Sequence, residues 1–261
     1  MPPRSPLLAF AVAVALGLTA LVSARAQTPP ADAPQPATLR FLFLDEKPGA
    51  YSLKSGDALR KISSAPYAIS TPITVQPKGR LDIYQLSSVP DPVTGKNEPV
   101  KIASLTPPGR LTSALVVVTP RPPTPESPVP PPPEITYFDT SIDAFPAGGI
   151  RVINLGRAPL GTKFDHIEPF LLQPGETRIV TPVPDAKNRI VVKIAVSEGD
   201  TWKLLSNKIA FLKPGQRMTG VFVYSPSGLL HTYTSEELAE FGRPNPGHFW
   251  LTYTDTPLVT P

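Results

Sequence analysis

Cysteine is absent from the 261 residues of the chain, and histidine occurs only three times. Without cysteine there is no disulfide, zinc–thiolate site, iron–sulfur cluster or cysteine nucleophile. The histidines, His166, His231 and His248, are too far apart for a local metal motif such as H-E-x-x-H. The sequence also lacks the G-x-S-x-G, S-x-x-K, P-loop and G-x-G-x-x-G patterns. We therefore expect no enzyme activity, no cofactor and no metal site.

Carboxylate patterns are equally sparse. Glu134, Asp139 and Asp143 form the only small acidic cluster near the middle of the chain. Calcium takes six to eight oxygen ligands, but the alternating D-x-D-x-D spacing of calcium loops is missing here. We interpret these residues as solvated loop acids, and no pair of carboxylates has a spacing that indicates glycoside hydrolysis.

Long apolar runs are absent except at the N-terminus. Arg4 precedes the apolar run 7–22, and Ala24-Arg25-Ala26 follows it as an A-x-A cleavage site. This pattern predicts a signal peptide at residues 1–26. A retained N-terminal anchor is the alternative, although the run is shorter than the roughly 20 residues of a membrane span. We expect an exported protein of the bacterial periplasm or cell surface, with no transmembrane segment after signal cleavage.

Charged residues make up only 18% of the chain, and the formal net charge is +4. Removing Arg4 and Arg25 with the signal lowers this charge to +2, which does not indicate nucleic-acid binding. Residues 39–118 carry ten basic and six acidic residues, whereas residues 135–261 carry twelve of each. The first half is thus suited to an anionic envelope surface, unless its charge only maintains solubility.

Proline, in contrast, is abundant, with 37 residues. Residues 27–38 form a Pro/Ala-rich leader, and nine prolines fall within residues 120–133. Such a stretch favours the extended polyproline II conformation. We predict a stiff linker at 120–134 between a first domain at 39–119 and a second domain with a C-terminal extension at 135–261. A docking peptide for a proline-recognition module is the alternative function of this stretch.

Strand-like segments separated by Pro/Gly turns lie on both sides of the predicted linker. Runs of β-formers at 39–44, 111–118, 150–155 and 216–224 recur with turn signals roughly every 8–12 residues. The Pro-free interval 185–213 predicts a β-hairpin with a Gly-containing loop at 197–200. A capping-box pattern predicts one short helix over Thr234–Phe241, and Phe249–Tyr253 is a candidate last strand. The predicted fold is all-β.

The two halves of the chain resemble each other in sequence. Residues 101–107 (KIASLTP) recur at an offset of 107 as residues 208–214 (KIAFLKP), and the match extends through Arg110/Arg217 to Val116/Val223. Looser matches pair residues 39–48 with 150–159, and residues 75–77 with 172–174. We interpret the halves as two copies of one β-sandwich. The repeated arginines are expected as exposed charges that protect a strand edge, with a pair of anion-binding arginines as the alternative.

The strand IRVINL at 150–155 and the turns LQPG at 172–175 and LKPGQR at 212–217 resemble those of secreted bacterial Ig-like β-sandwich repeat proteins. The resemblance covers both halves up to about residue 227. It implies two tandem Ig-like sandwiches and export, and it implies no catalytic residue.

Aromatic residues are the remaining candidates for ligand contact. Trp202 follows the hairpin loop, and Trp250 and Tyr253 lie in the last strand. In that strand a period of two places Phe249, Leu251 and Tyr253 on one face and Trp250 on the other. Such rings stack on sugars in carbohydrate-binding modules, although most large aromatics fill a core.

Three functions are compatible with these features. The first is a non-catalytic structural or protein-interaction module of the cell envelope, whose open strand edges accept a partner. The second is a carbohydrate-binding module that uses Trp202, Trp250 and Tyr253. The third is a periplasmic chaperone-like protein with two domains held at a fixed angle. The expected partners are envelope proteins or a surface polysaccharide.

Overall fold

The computed structural model describes residues 36–45, 50–63, 65–76, 80–87, 90–106, 111–121, 131–226 and 247–257. All of them belong to one compact unit spanning Pro34–Pro261. The predicted signal peptide, nearly all of the leader, the predicted helix, His231 and Arg110 lie outside the described residues.

Every regular element in the described part of the chain is a β-strand, which confirms the all-β class. The first half contains β1 (Ala37–Phe43), β2 (Tyr51–Ser55), β3 (Ala58–Ile62), β4 (Ile73–Val75), β5 (Leu81–Leu86), β6 (Pro99–Leu105), β7 (Ser113–Thr119) and β8 (Glu134–Asp139). The second half contains β9 (Ile150–Leu155), β10 (Leu160–Phe164), β11 (Phe170–Leu172), β12 (Thr177–Val180), β13 (Arg189–Glu198), β14 (Thr201–Phe211), β15 (Arg217–Ser225) and β16 (Gly247–Asp255). Among the described residues, no helix is long and apolar enough to span a bilayer.

The strands form four sheets of four strands each. The first half has an inner sheet β4-β1-β7-β8 and an outer sheet β3-β2-β5-β6. The second half has an inner sheet β12-β9-β15-β16 and an outer sheet β11-β10-β13-β14. In both inner sheets the first strand pairs in parallel with the seventh strand of its half. The strand order is therefore the same in the two halves.

Alternating side chains divide the apolar residues among three clusters. On β1, Leu39, Phe41 and Phe43 face the first core, between the two sheets of the first half. The equivalent second core contains Val152 of β9. The opposite faces of the inner sheets meet in a shared cluster, whose buried members are Leu42, Tyr67, Leu115, Val117, Phe138, Ile153, Val221 and Val223. Because both inner sheets are apolar on both faces, the halves stack as four sheet layers.

The predicted linker lies between two strands that pair with each other. Thr119 and Glu134, at its two ends, are register partners in the antiparallel pair of β7 and β8. Residues 120–133 therefore connect neighbouring strands of one sheet, and β8 belongs with the first half although it falls within the predicted second domain. The reason is the apolar strand ITYF at 135–138, which completes the first inner sheet.

The predicted hairpin and last strand are confirmed. β13 and β14 pair over their full length, and the two-residue loop between Glu198 and Thr201 has Gly199 at a positive φ of 64°. Such a loop needs glycine because other residues rarely adopt this conformation. β16 pairs along all nine residues with β15.

The sequence matches between the halves correspond only in part. The recurring KIA segments lie in the middle of β6, at 101–103, and near the end of β14, at 208–210. These two strands hold equivalent places in the two outer sheets. Val75, however, ends a strand of an inner sheet, whereas Leu172 ends a strand of an outer sheet. Val116 faces the first core and Val223 faces the shared cluster. Since a one-residue shift in register turns a strand over, the offset of 107 does not extend into the last matched strands.

Candidate functional site

The outer face of β11-β10-β13-β14, hereafter the outer face, exposes an unusual number of apolar side chains. Cross-strand rows place Leu171 of β11, Val191 of β13 and four residues of β14 on the same side. The four residues of β14 are Trp202, Leu204, Ile209 and Phe211. All six side chains are exposed, and the exposed fraction of Phe211 is 61%. Several large apolar side chains exposed on one face of a sheet indicate an interaction site.

Trp202 extends across this sheet over two small residues, Gly161 and Ala195. A Cβ atom built on Gly161 would come within 3.2 Å of Cζ3 of Trp202. Ala195 pairs with Gly161 on one side and with Leu204 on the other. The indole therefore rests on the backbone of β10 while 51% of the residue remains accessible. This geometry leaves the ring available as a flat apolar platform.

A shallow groove of about 350 Å³ runs beside Trp202. Its walls include Phe170 and Leu171 of β11, and Lys163 and Lys193 lie along it. The two lysines are register partners on β10 and β13, so their side chains emerge side by side. Within the described part of the chain, no carboxylate forms an ion pair with either lysine. The groove therefore combines an aromatic platform with two lysines that form no ion pair in the described part of the chain.

Trp250 has a different environment. It lies on β16 opposite Phe222 and packs against the second core. A Cβ atom on Gly220 would come within 2.0 Å of Cη2 of Trp250, so the indole fills the space that the glycine leaves. The period-two prediction for β16 is confirmed, since Phe249, Leu251 and Tyr253 line the shared cluster on the opposite face. Trp250 is thus a packing residue, and its ring is not a free stacking platform.

Tyr253 is held at the junction of the halves. Its hydroxyl donates a short hydrogen bond to the backbone oxygen of Tyr67. Burial raises the pKa of Tyr253 well above the ordinary value for tyrosine. Of the three aromatic residues named from the sequence, the structure leaves only Trp202 in position to stack on a ligand.

A second polar cluster surrounds Asp255 where the two halves meet. Arg217 donates through Nε and Nη2 to the two carboxylate oxygens of Asp255 at 2.9 and 3.2 Å. Arg40, from the first half, reaches the same carboxylate at 2.6 Å. Arg217 packs over the Phe145 ring, and Arg40, Asp255 and Phe145 line a cavity of about 390 Å³. Because Asp255 already pairs with both arginines, this cluster is suited to joining the halves.

Arg217 corrects the expectation of an exposed edge charge. It is only 3% exposed, and its Nη1 donates to the backbone oxygens of Thr140 and Phe145 at 2.8 Å. The guanidinium carbon of Arg151 lies 4.4 Å from the centroid of the Phe145 ring. Burial, together with the positive charge of Arg217, lowers the pKa of Arg151 to about 10. Arg217 is buried because its acceptors come from elements distant in sequence, namely Thr140 and Phe145 in the loop after β8 and Asp255 on β16.

The remaining candidates are not brought together. His166 is exposed, whereas His248 stacks on Phe222 and its pKa is lowered by burial. Asp139 accepts a hydrogen bond from the backbone N–H of Ser141, and Glu134 pairs with Arg121. Over the ranges that the structure describes, no three His, Asp or Glu residues are grouped so as to hold a metal ion.

Comparison with protein-family models and with curated proteins finds no match.

Proposed function

We propose that this chain is an exported, non-catalytic interaction protein of the bacterial cell envelope, and that the outer face is its binding surface. The observation that carries this proposal is the row of exposed apolar side chains on β14, next to the Trp202 groove. Export rests on the signal-like residues 1–26, and the absence of catalytic activity rests on the missing sequence motifs.

We further propose two Ig-like domains that arose by duplication. The pairing of β1 with β4, and of β2 with β5 and β5 with β6, matches the B–E and C–F–G pairings of an immunoglobulin sandwich. The second half repeats these pairings with β9 and β12, β10 and β13, and β13 and β14. A parallel strand, β7 or β15, takes the place of the usual first strand. Two equal sets of pairings support duplication better than sequence identity alone.

One observation favours a chaperone-like protein as a second candidate. Such proteins hold two domains in fixed contact, and here the two inner sheets share a buried apolar cluster. The way in which the two halves contact each other argues against this candidate. Their inner sheets meet face to face, whereas a chaperone would hold an open cleft between its domains. The outer face therefore remains the better binding surface.

Capture from envelope fractions on the immobilised chain tests the proposal. The informative variant is Leu204→Ser/Ile209→Ser, which removes two exposed side chains of β14 without disturbing a core. The matched control is Leu59→Ser/Val100→Ser on the outer sheet of the first half, where both side chains are also about half exposed.

We expect the wild-type chain and the control to capture the same envelope component and the β14 variant to lose it. Equal capture by both variants, or no capture by the wild-type chain, would overturn the proposal.

A further inference from the structure

From the groove beside Trp202 we infer a binding site for an acidic polysaccharide, in which the indole stacks on a sugar ring and Lys163 and Lys193 bind its carboxylates. This inference rests on the proposed function in using the same outer face, and it adds the class of ligand.

The position of Trp202 is the first step. A sugar ring needs a flat apolar surface, and the indole of Trp202 reaches across β13 to contact Gly161 of β10. A Cβ atom built on Gly161 would also lie 3.6 Å from Cδ2 of Leu171. Leu171 and Trp202 both line the groove, which is shallow and lies on the exposed face of the sheet. An open groove accommodates a chain of sugars better than a single small molecule.

The lysine pair is the second step. Like charges directly opposite each other across two strands destabilise a sheet unless a counter-ion lies between them. Asp165 directly follows β10, and its carboxylate accepts a hydrogen bond from the backbone N–H of Val191 and forms no ion pair with Lys163 or Lys193. Lys203 lies on the opposite face of β14 and pairs with Glu198. The charge of Lys163 and Lys193 is therefore available to a ligand.

The number of charges distinguishes the ligand from a membrane. Binding to anionic lipid requires clusters of about four to eight basic residues. Residues 135–261 carry equal numbers of acids and bases, and only two lysines line the groove. Two ammonium groups next to a stacking ring match a uronic acid polymer, which presents one carboxylate per sugar.

Titration calorimetry of the purified chain with polygalacturonate and with its fully methyl-esterified form tests the inference. The two polymers share a backbone and differ in charge. The variants are Trp202→Ala, which removes the platform, and Lys163→Gln/Lys193→Gln, which removes the charges and keeps the platform. Lys187→Gln/Lys213→Gln is the matched control, because both residues are exposed in the same half but lie away from the groove.

We expect the wild-type chain and the control to bind polygalacturonate, Trp202→Ala to show no binding, and the groove lysine variant to bind at least about tenfold more weakly. The esterified polymer should likewise bind the wild-type chain at least about tenfold more weakly. Equal affinity for both polymers, or an unchanged affinity of the groove lysine variant, would overturn the inference. If neither polymer binds while envelope capture still depends on Leu204 and Ile209, the inference fails and the proposed function stands, with a protein as the partner.

Discussion

Arg217 carries a charge that is buried between the two halves, and such a charge is costly in free energy unless it is paired. Its guanidinium is satisfied by one carboxylate and two backbone oxygens, which compensates for the loss of water. Arg40 joins the same carboxylate from the first half, so one acid at the end of β16 connects three elements.

Replacing Arg217 by methionine keeps the length of the side chain but removes the donor to the backbone oxygens of Thr140 and Phe145, and it leaves Asp255 with Arg40 alone. We expect a loss of about 3 kcal/mol in the free energy of unfolding, measured by urea denaturation. Arg189→Met is the control, because Arg189 forms an exposed ion pair with Asp185. A loss at Arg217 no greater than at Arg189 would mean that the buried cluster does not stabilise the fold.

The environment of Asp185 predicts how the stability of the chain depends on pH. Its carboxylate accepts hydrogen bonds from the Arg189 side chain and from the backbone N–H groups of Arg189 and Lys187. These bonds, that of the Arg189 side chain first, lower the pKa of Asp185 to about 2. Because the pKa is lower in the folded state, this contribution to stability is complete above the unfolded pKa near 4 and is lost as the pH falls towards 2.

NMR titration of the Asp185 carboxyl carbon should give a midpoint near 2 in the wild-type chain. In Arg189→Gln the midpoint should rise towards the ordinary aspartate value, since the strongest donor is lost. The same midpoint in both proteins would contradict the assigned cause.

At the scale of strands, two glycines each lie under a tryptophan. Gly220 on β15 lies under Trp250 of β16, and Gly161 on β10 lies under Trp202 of β14. The first pair is packed against the second core, whereas the second pair is open to solvent. The same local arrangement therefore serves stability in one sheet and, in our proposal, binding in the other.

We expect Gly220→Ala to cost about 1–3 kcal/mol of unfolding free energy, because the new methyl group collides with the indole. In a Trp250→Leu background the same change should cost clearly less, which a double-mutant cycle measures. Additive effects of the two changes would show that the ring does not occupy the space above Gly220.

Several strands were predictable because their patterns are local. The Pro-free alternation of β13 and β14, and of β16, predicts strands correctly, and Gly199 marks the hairpin loop. The place of β8 was not predictable, because a proline-rich stretch separates it from its partner. Likewise, Lys163 and Lys193 become a pair only through the register of β10 and β13, which no local pattern specifies. The burial of Arg217 depends on an acid 38 residues away.

At the scale of the whole molecule, the halves form one body through the shared cluster and β8. A protease site inserted between residues 122 and 130 tests this organisation. After cleavage, the two fragments should co-elute on size-exclusion chromatography in native buffer, since β8 remains paired with β7 and the inner sheets remain in contact. Separation into two independent fragments would restore the prediction of a spacer.

The same organisation leaves the outer face of the second half directed away from the first half. Its edge strand β14 is eleven residues long and exposes four large apolar side chains. The corresponding strand β6 has seven residues and begins with a proline. This asymmetry between two halves of equal strand order is the main reason to assign binding to the second half.

Hydrogen exchange of the chain, alone and with the captured envelope component or polygalacturonate, tests this assignment most directly. We expect the amides of β13 and β14 to gain protection on binding, while those of β6 and of the Arg217–Asp255 junction stay unchanged. Protection confined to β6 or to the junction would contradict the assignment of the outer face as the binding surface.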